Sequence, residues 1–249
     1  MHIKNAILLL GILMMGLYGR SQMRSLKELT DTSDTGWGIV RDLLQKATNK
    51  VEVLPKDSAR ACDAVYRSQL AVQTTLGAVE YMTGGIMIDG GWIRIIGSGS
   101  PRLPRSLPEW NKGKSVAGYG HKAAFYLVAD DVLGGFFALN WGGLSNDDLG
   151  KVFYLAPDNL QWESTGNNYG QFIEFCFTGN LNEFYKGLRW DHWHQQVDTL
   201  SGDRAFHIMP PLWSKEGKNI NKDVRHVVPV EEIYSYTLDL QRQMLKEQK

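Results

Sequence analysis

The chain has 249 residues, of which 43% are hydrophobic and 22% charged, with 8 Trp, 10 Tyr and 9 Phe. That aromatic content suits a buried core and excludes a disordered chain. Lys+Arg and Asp+Glu each total 27, so no net field favours polyanions, and nucleic-acid binding is not expected.

The first 22 residues stand apart. Lys4 supplies a positive n-region, Ala6 to Tyr18 is apolar without a charge, and Gly19-Arg20-Ser21-Gln22 offers a cleavage site. The run is shorter than the roughly 20 apolar residues a spanning helix needs. It reads as a signal peptide over 1–22, followed by a single α+β domain over 23–249. The expected location is therefore periplasmic or secreted, or cytoplasmic if Met23 is the true start, with no membrane span after signal cleavage. No cysteine follows the apolar run, so no lipoprotein anchor is expected.

Beyond it, Trp37, Val40, Leu43, Leu44 and Ala47 recur at helical spacing, with Asp34 or Thr35 as the N-cap. Val51 to Val53 reads as a short extended piece closed by Pro55, and Asp57 as the cap of a helix running to about Leu70. From Leu76 the texture becomes that of a strand meander, with Gly84-Gly85 and Gly90-Gly91 punctuating the apolar runs Ile86 to Ile88 and Trp92 to Ile96. Prolines at 101, 104 and 108 argue against helix or central strand in the next stretch. The runs Ala123 to Ala129, Gly134 to Asn140 and Val152 to Ala156 are almost continuously apolar. They predict strands covered on both faces. Pro157-Asp158-Asn159 is a turn.

Helical spacing returns at Tyr169, Phe172, Ile173 and Cys176, with Gly179 at the C-terminal cap. Asn180 and Glu183 form a capping-box pattern ahead of Leu181, Phe184, Tyr185 and Leu188. A last helix opens near Val230 and carries Ile233, Leu240 and Met244. Short turns between the central strands leave no room for parallel crossovers. The fold class is thus α+β, a mainly antiparallel curved sheet flanked by helices.

Candidate chemistry is sparse. Gly97-Ser98-Gly99-Ser100-Pro101-Arg102 has the glycine amides of an anion loop, and Arg102 and Arg105 could add charge-assisted bonds, but the lysine and helix of a P-loop are missing. Asp130 and Asp131 are adjacent carboxylates, which on a strand face opposite ways, and a turn role explains them simply. In Asp191-His192-Trp193-His194 the two histidines would diverge on a helix, so no metal site is expected. Cys62 and Cys176 allow one disulfide, or two buried thiols. No serine or cysteine sits in a nucleophile elbow. No catalytic residue and no cofactor is indicated.

Four blocks carry a resemblance: Gly91 to Gly99, Arg102 to Asn111, Leu127 to Asn140 and Gly150 to Asp158. They resemble a bacterial family catalogued as domain-of-unknown-function family 2625, and the match extends from Met23 to the last helix. The acidic turn and strand from Asp130 to Leu139, the strand Gly150 to Tyr154, and Phe172 with Phe175 are also similar to the SUKH superfamily. That likeness implies a curved-sheet α+β fold and, for many members, an immunity protein that neutralises a toxin. The signal peptide departs from that pattern, as does the segment before Leu76.

The leading expectation is a non-enzymatic protein-binding module, with an immunity-type protein and a toxin partner as what the SUKH likeness implies. Rival expectations are an exported hydrolase or small-ligand-binding enzyme using the 97–111 loop, and a structural protein of the cell envelope. Candidate binding residues are Arg102, Arg105 and Trp110, in a Pro/Gly-rich surface segment, with Asp130 and Asp131; the alternative for Trp110 is a ring folded back as a plug over the core.

Overall fold

The computed structural model describes residues 23–31 and 36–247. The expected signal peptide and the N-cap at Asp34 or Thr35 lie outside them. In chain order the elements are α1 (Leu26–Leu29), α2 (Gly36–Gln45), β1 (Val51–Val53), α3 (Ser58–Ser68), α4 (Thr75–Met82), β2 (Gly85–Ile88), β3 (Ile93–Ile96) and α5 (Leu107–Asn111). There follow β4 (Phe125–Asp131), β5 (Phe136–Asn140), β6 (Lys151–Leu155), β7 (Trp162–Asn168), α6 (Tyr169–Thr178), α7 (Leu181–Phe184) and α8 (Trp193–Val197). β8 (Arg204–Met209), β9 (Val224–Pro229) and α9 (Val230–Glu247) complete the described chain.

Strands β1 to β7 form one sheet in sequence order, each pair antiparallel. Even the 97–124 connection, which carries α5, returns antiparallel to its neighbour. The expected α+β antiparallel architecture is what forms. The apolar runs explain it, for β2, β3 and β5 are buried along their whole length. Such strands need cover on both faces. Phe136 and Phe137, successive residues of β5, mark the two layers. Phe136 meets Trp110 of α5 and Tyr234 of α9, whereas Phe137 meets Phe172 of α6 and Phe184 of α7. On the helical side α2 packs against α4 and α6. Outside this sheet, β8 and β9 form a two-stranded antiparallel ribbon that α9 packs against.

Several expectations are corrected. Leu76 does not open a meander; Thr75–Met82 is a helix, whose Leu76, Gly77, Ala78, Val79 and Glu80 are all buried. A helix enclosed on all sides shows little amphipathic contrast and so hides among strands. Pro108 does not exclude a helix, because it stands in the first turn of α5, where a missing N–H costs nothing. Gly179 is the C-terminal cap of α6 as expected, with φ of −73°. The helix after Asn180 is a single turn in which Leu181 is buried and Phe184 is 36% exposed. The sheet is also wider than expected, since β1 and β7 extend it on either side.

Cys62 and Cys176 are free thiols. Burial pushes the Cys176 thiol far above the usual range, which makes it an inert hydrophobe rather than a nucleophile.

Candidate functional site

Asp130 and Asp131 point to opposite faces of β4, as alternation requires. Asp130 is fully buried and pairs across strands with Arg94 of β3, whose Nε donates to its Oδ1 at 2.6 Å. Arg105 forms an ion pair with the other carboxylate oxygen, and its Nη2 donates to the Gly202 carbonyl at 2.8 Å. Arg94 also donates to the carbonyls of Asp131 and Arg204. One carboxylate thus ties β3, β4 and the 97–106 loop to the start of the β8–β9 ribbon. Burial pulls the Arg94 guanidinium downward and the Asp130 charge opposes it. This is a buried ion triad rather than a site open to a ligand.

On the other face, Asp131 accepts from the backbone N–H of Leu133 at 2.8 Å and of Gly135 at 2.9 Å, which is the turn role expected for it. Its Oδ2 accepts from Tyr154 Oη at 2.6 Å and Tyr185 Oη at 3.2 Å. A side chain at Gly135 would meet both Asp131 Oδ2 and Tyr154 Oη within 2.4 Å, so only glycine admits this cluster. Burial raises the Asp131 carboxyl, while Tyr154 and the two amides hold it down.

The other candidates are engaged by their own chain. Arg102 pairs with Glu52 and donates to the Gly90 carbonyl. Ser98 and Ser100 of the glycine loop are buried, and Ser98 Oγ donates to the Thr83 carbonyl at 2.8 Å. Trp110 does not lie in a surface loop. It is 4% exposed, stacked on Phe136 and edge-on to Tyr234, with the Arg105 and Lys114 cations 4.4 and 4.2 Å from its ring centroid. Residues 105, 110 and 130 therefore pack together, Arg102 is held separately at the surface by Glu52, and among the described residues no histidine joins them.

His192 takes the left-handed N-cap of α8 and His194 stacks on Trp193. Among the described residues, no group of three or more His, Cys, Asp or Glu is placed to hold a metal ion. Ser68 Oγ does donate to Glu80 Oε2 at 2.7 Å. Burial raises that carboxyl to about 8, but among the described residues no histidine completes a relay, and the pair links α3 to α4.

A different feature has the shape of a site. Between β5, β6, β7, α6 and α7 lies a cavity of ≈ 220 Å³ walled by Phe137, Tyr154, Phe172, Phe175 and Phe184. The ring centroids stand 4.4 Å apart for Phe137 and Tyr154, and 5.3 to 5.4 Å for Phe184 with Phe175 and Tyr154. Glu163, Ser164, Thr165 and Asn167 of β7 form the polar side. The Tyr154 hydroxyl donates to Asp131, and its ring stacks on Phe137. Sequence reasoning singled out Phe172 and Phe175 as a helix pattern but missed the pocket, because β7 is polar and carries no strand signal.

Fold and cavity together define an α+β protein with a seven-stranded antiparallel sheet and an aromatic pocket near one edge. Residues 26–233 match the family described as "Protein of unknown function DUF2625", and the chain belongs to that family. An uncharacterized protein of Haemophilus influenzae is 37% identical over 212 residues, covering 85% of this chain and 92% of its own. The putative uncharacterized protein YbfG of Escherichia coli K12 is 41% identical over 191 residues, covering 77% of this chain and 86% of its own. No helix among the described residues is long and apolar enough to cross a membrane.

Proposed function

We propose that this protein is a non-catalytic protein-binding module that anchors a side chain of its partner in the aromatic pocket. The observation that carries this reading is the cavity of ≈ 220 Å³, five aromatic rings on one side and the polar strand β7 on the other. An apolar floor inside a polar rim is the anatomy of an interface core, and aromatic residues are the type enriched where binding energy concentrates. β7 is the terminal strand of its sheet, so an extended partner segment could pair with it while placing one side chain in the pocket. The hydrolase reading through the 97–111 loop draws no support from Arg102 and Arg105, which are spent on Glu52 and Asp130.

An immunity-type protein acting on a toxin, periplasmic or secreted, is the specific form of this proposal. It rests on the SUKH likeness and on Lys4 with the apolar run that follows. A photo-crosslinking residue in place of Ser164, in the full chain expressed in its own host, tests the anchoring. The expected result is one discrete crosslinked protein whose yield falls sharply in Phe184→Ser while the melting temperature holds. Crosslinking unaffected by Phe184→Ser would overturn the proposal.

A further inference from the structure

We infer that the side chain the aromatic pocket takes is a cation, the guanidinium or alkylammonium group of an arginine or lysine. This rests on reading the pocket as the anchoring site, and it adds what is anchored there.

Elsewhere in the chain, Lys and Arg lie over the rings of Trp and Tyr. Arg189 lies 4.5 Å from the Trp193 ring and 4.9 Å from the Trp92 ring, held by Asp89 at 2.7 Å. Arg225 covers Trp190, Lys56 covers Tyr81, and Arg105 and Lys114 cover Trp110. A ring face is electron-rich and attracts a cation, the more strongly when the site is shielded from water. Among the described residues, no Lys or Arg is placed over Phe137, Tyr154, Phe172, Phe175 or Phe184.

The charges around the pocket agree. Among the described residues its lining holds no Lys, Arg or His and one carboxylate, Glu163. The Asn159 amide donates to Glu163 Oε1 at 3.1 Å, and no ion pair claims this residue among those described. Size points the same way. At ≈ 220 Å³ the cavity falls below the roughly 300 Å³ at which pockets for drug-sized ligands begin, and so suits one side chain.

The test uses three small probes on the full protein: N-acetyl-arginine amide, N-acetyl-trimethyllysine amide and the uncharged N-acetyl-norleucine amide. Binding is read from amide chemical shifts of residues 163–167 and 184. At least one cationic probe should bind about ten-fold more tightly than norleucine amide. Phe184→Leu, which keeps the apolar volume but removes the ring face, should weaken the cation about three- to ten-fold and leave norleucine amide unchanged. Glu163→Gln on the exposed rim should weaken the cation about two- to five-fold, and added salt should act in the same direction. Equal affinity for the norleucine probe would overturn the cation and keep the pocket as an apolar anchor. If neither class of probe moves these amides, both the inference and the anchoring reading fall. Should Phe184→Leu fail to fold, the cation-to-norleucine ratio on the unaltered protein and on Glu163→Gln decides the matter.

Discussion

Replacing Glu80 with Gln should change how stability depends on pH. Glu80 is fully buried in α4, its Oε2 accepts from Ser68 and its Oε1 has no hydrogen-bond partner among the described residues. Burial raises its carboxyl from 4.5 to about 8, against the opposing pull of Ser68. The folded protein thus holds a proton that the unfolded chain releases at ordinary carboxylate pH. The stability this protonated group supports is complete below about pH 4.5 and is lost as pH rises through about 8. A shift of that size corresponds to a loss of about 5 kcal/mol, an upper figure that local opening or water entry would reduce. Gln keeps the shape and an oxygen to accept from Ser68, but cannot ionise. Urea unfolding of both proteins at about pH 5, 7 and 9 measures the difference. The two should nearly coincide at the low end, and the variant should gain several kcal/mol relative to the parent at the high end. Because Asp131, also raised by burial, is present in both proteins, the difference isolates Glu80. A constant difference across that range would refute the reasoning.

Trp110→Ala should destabilise by about 3–5 kcal/mol, since it empties a site between Phe136 and Tyr234, and chemical denaturation would measure it. A near-neutral result would return Trp110 to the surface. Asp130→Ala should cost about 3–5 kcal/mol because it leaves Arg94 buried without its counter-charge. Restoring stability by adding Arg94→Met would show that the unpaired cation, not the cavity, was responsible. For export, the protein recovered from its native host should have a mass beginning near Met23, and a product retaining Met1 would exclude cleavage.

Strands β2 to β6 were legible because their residues are buried on both faces, and such strands read as unbroken apolar runs between glycines. The helix α6 was legible for the opposite reason, its apolar residues recurring on one face only. β7 was not, because an edge strand with a solvated face is held by backbone pairing to β6, which Glu163, Ser164 and Asn167 neither advertise nor forbid. The β8–β9 ribbon also escaped notice, although it carries Phe206 and Ile208 into the core.

Side-chain chemistry divides along the same line. The opposite facing of Asp130 and Asp131 follows from β alternation alone and needs no structure. What each carboxylate does depends on residues distant in the chain: Arg94 and Arg105 for one, Tyr154 and Tyr185 for the other. Beside its prolines Trp110 reads equally as a loop anchor or as a plug over the core, and the packing of Phe136 and of Tyr234 from the last helix decides for core. The aromatic pocket is the extreme case. Phe137, Tyr154, Phe172 and Phe184 come from two strands and two helices, and each alone is an ordinary apolar residue. Local periodicity sets which face of its own element a residue occupies, and therefore the sequence by itself determined the strands, the helices and their buried sides. Which faces meet is settled by long-range packing, so the tertiary structure alone decided the ion triad, the burial of Trp110 and the pocket.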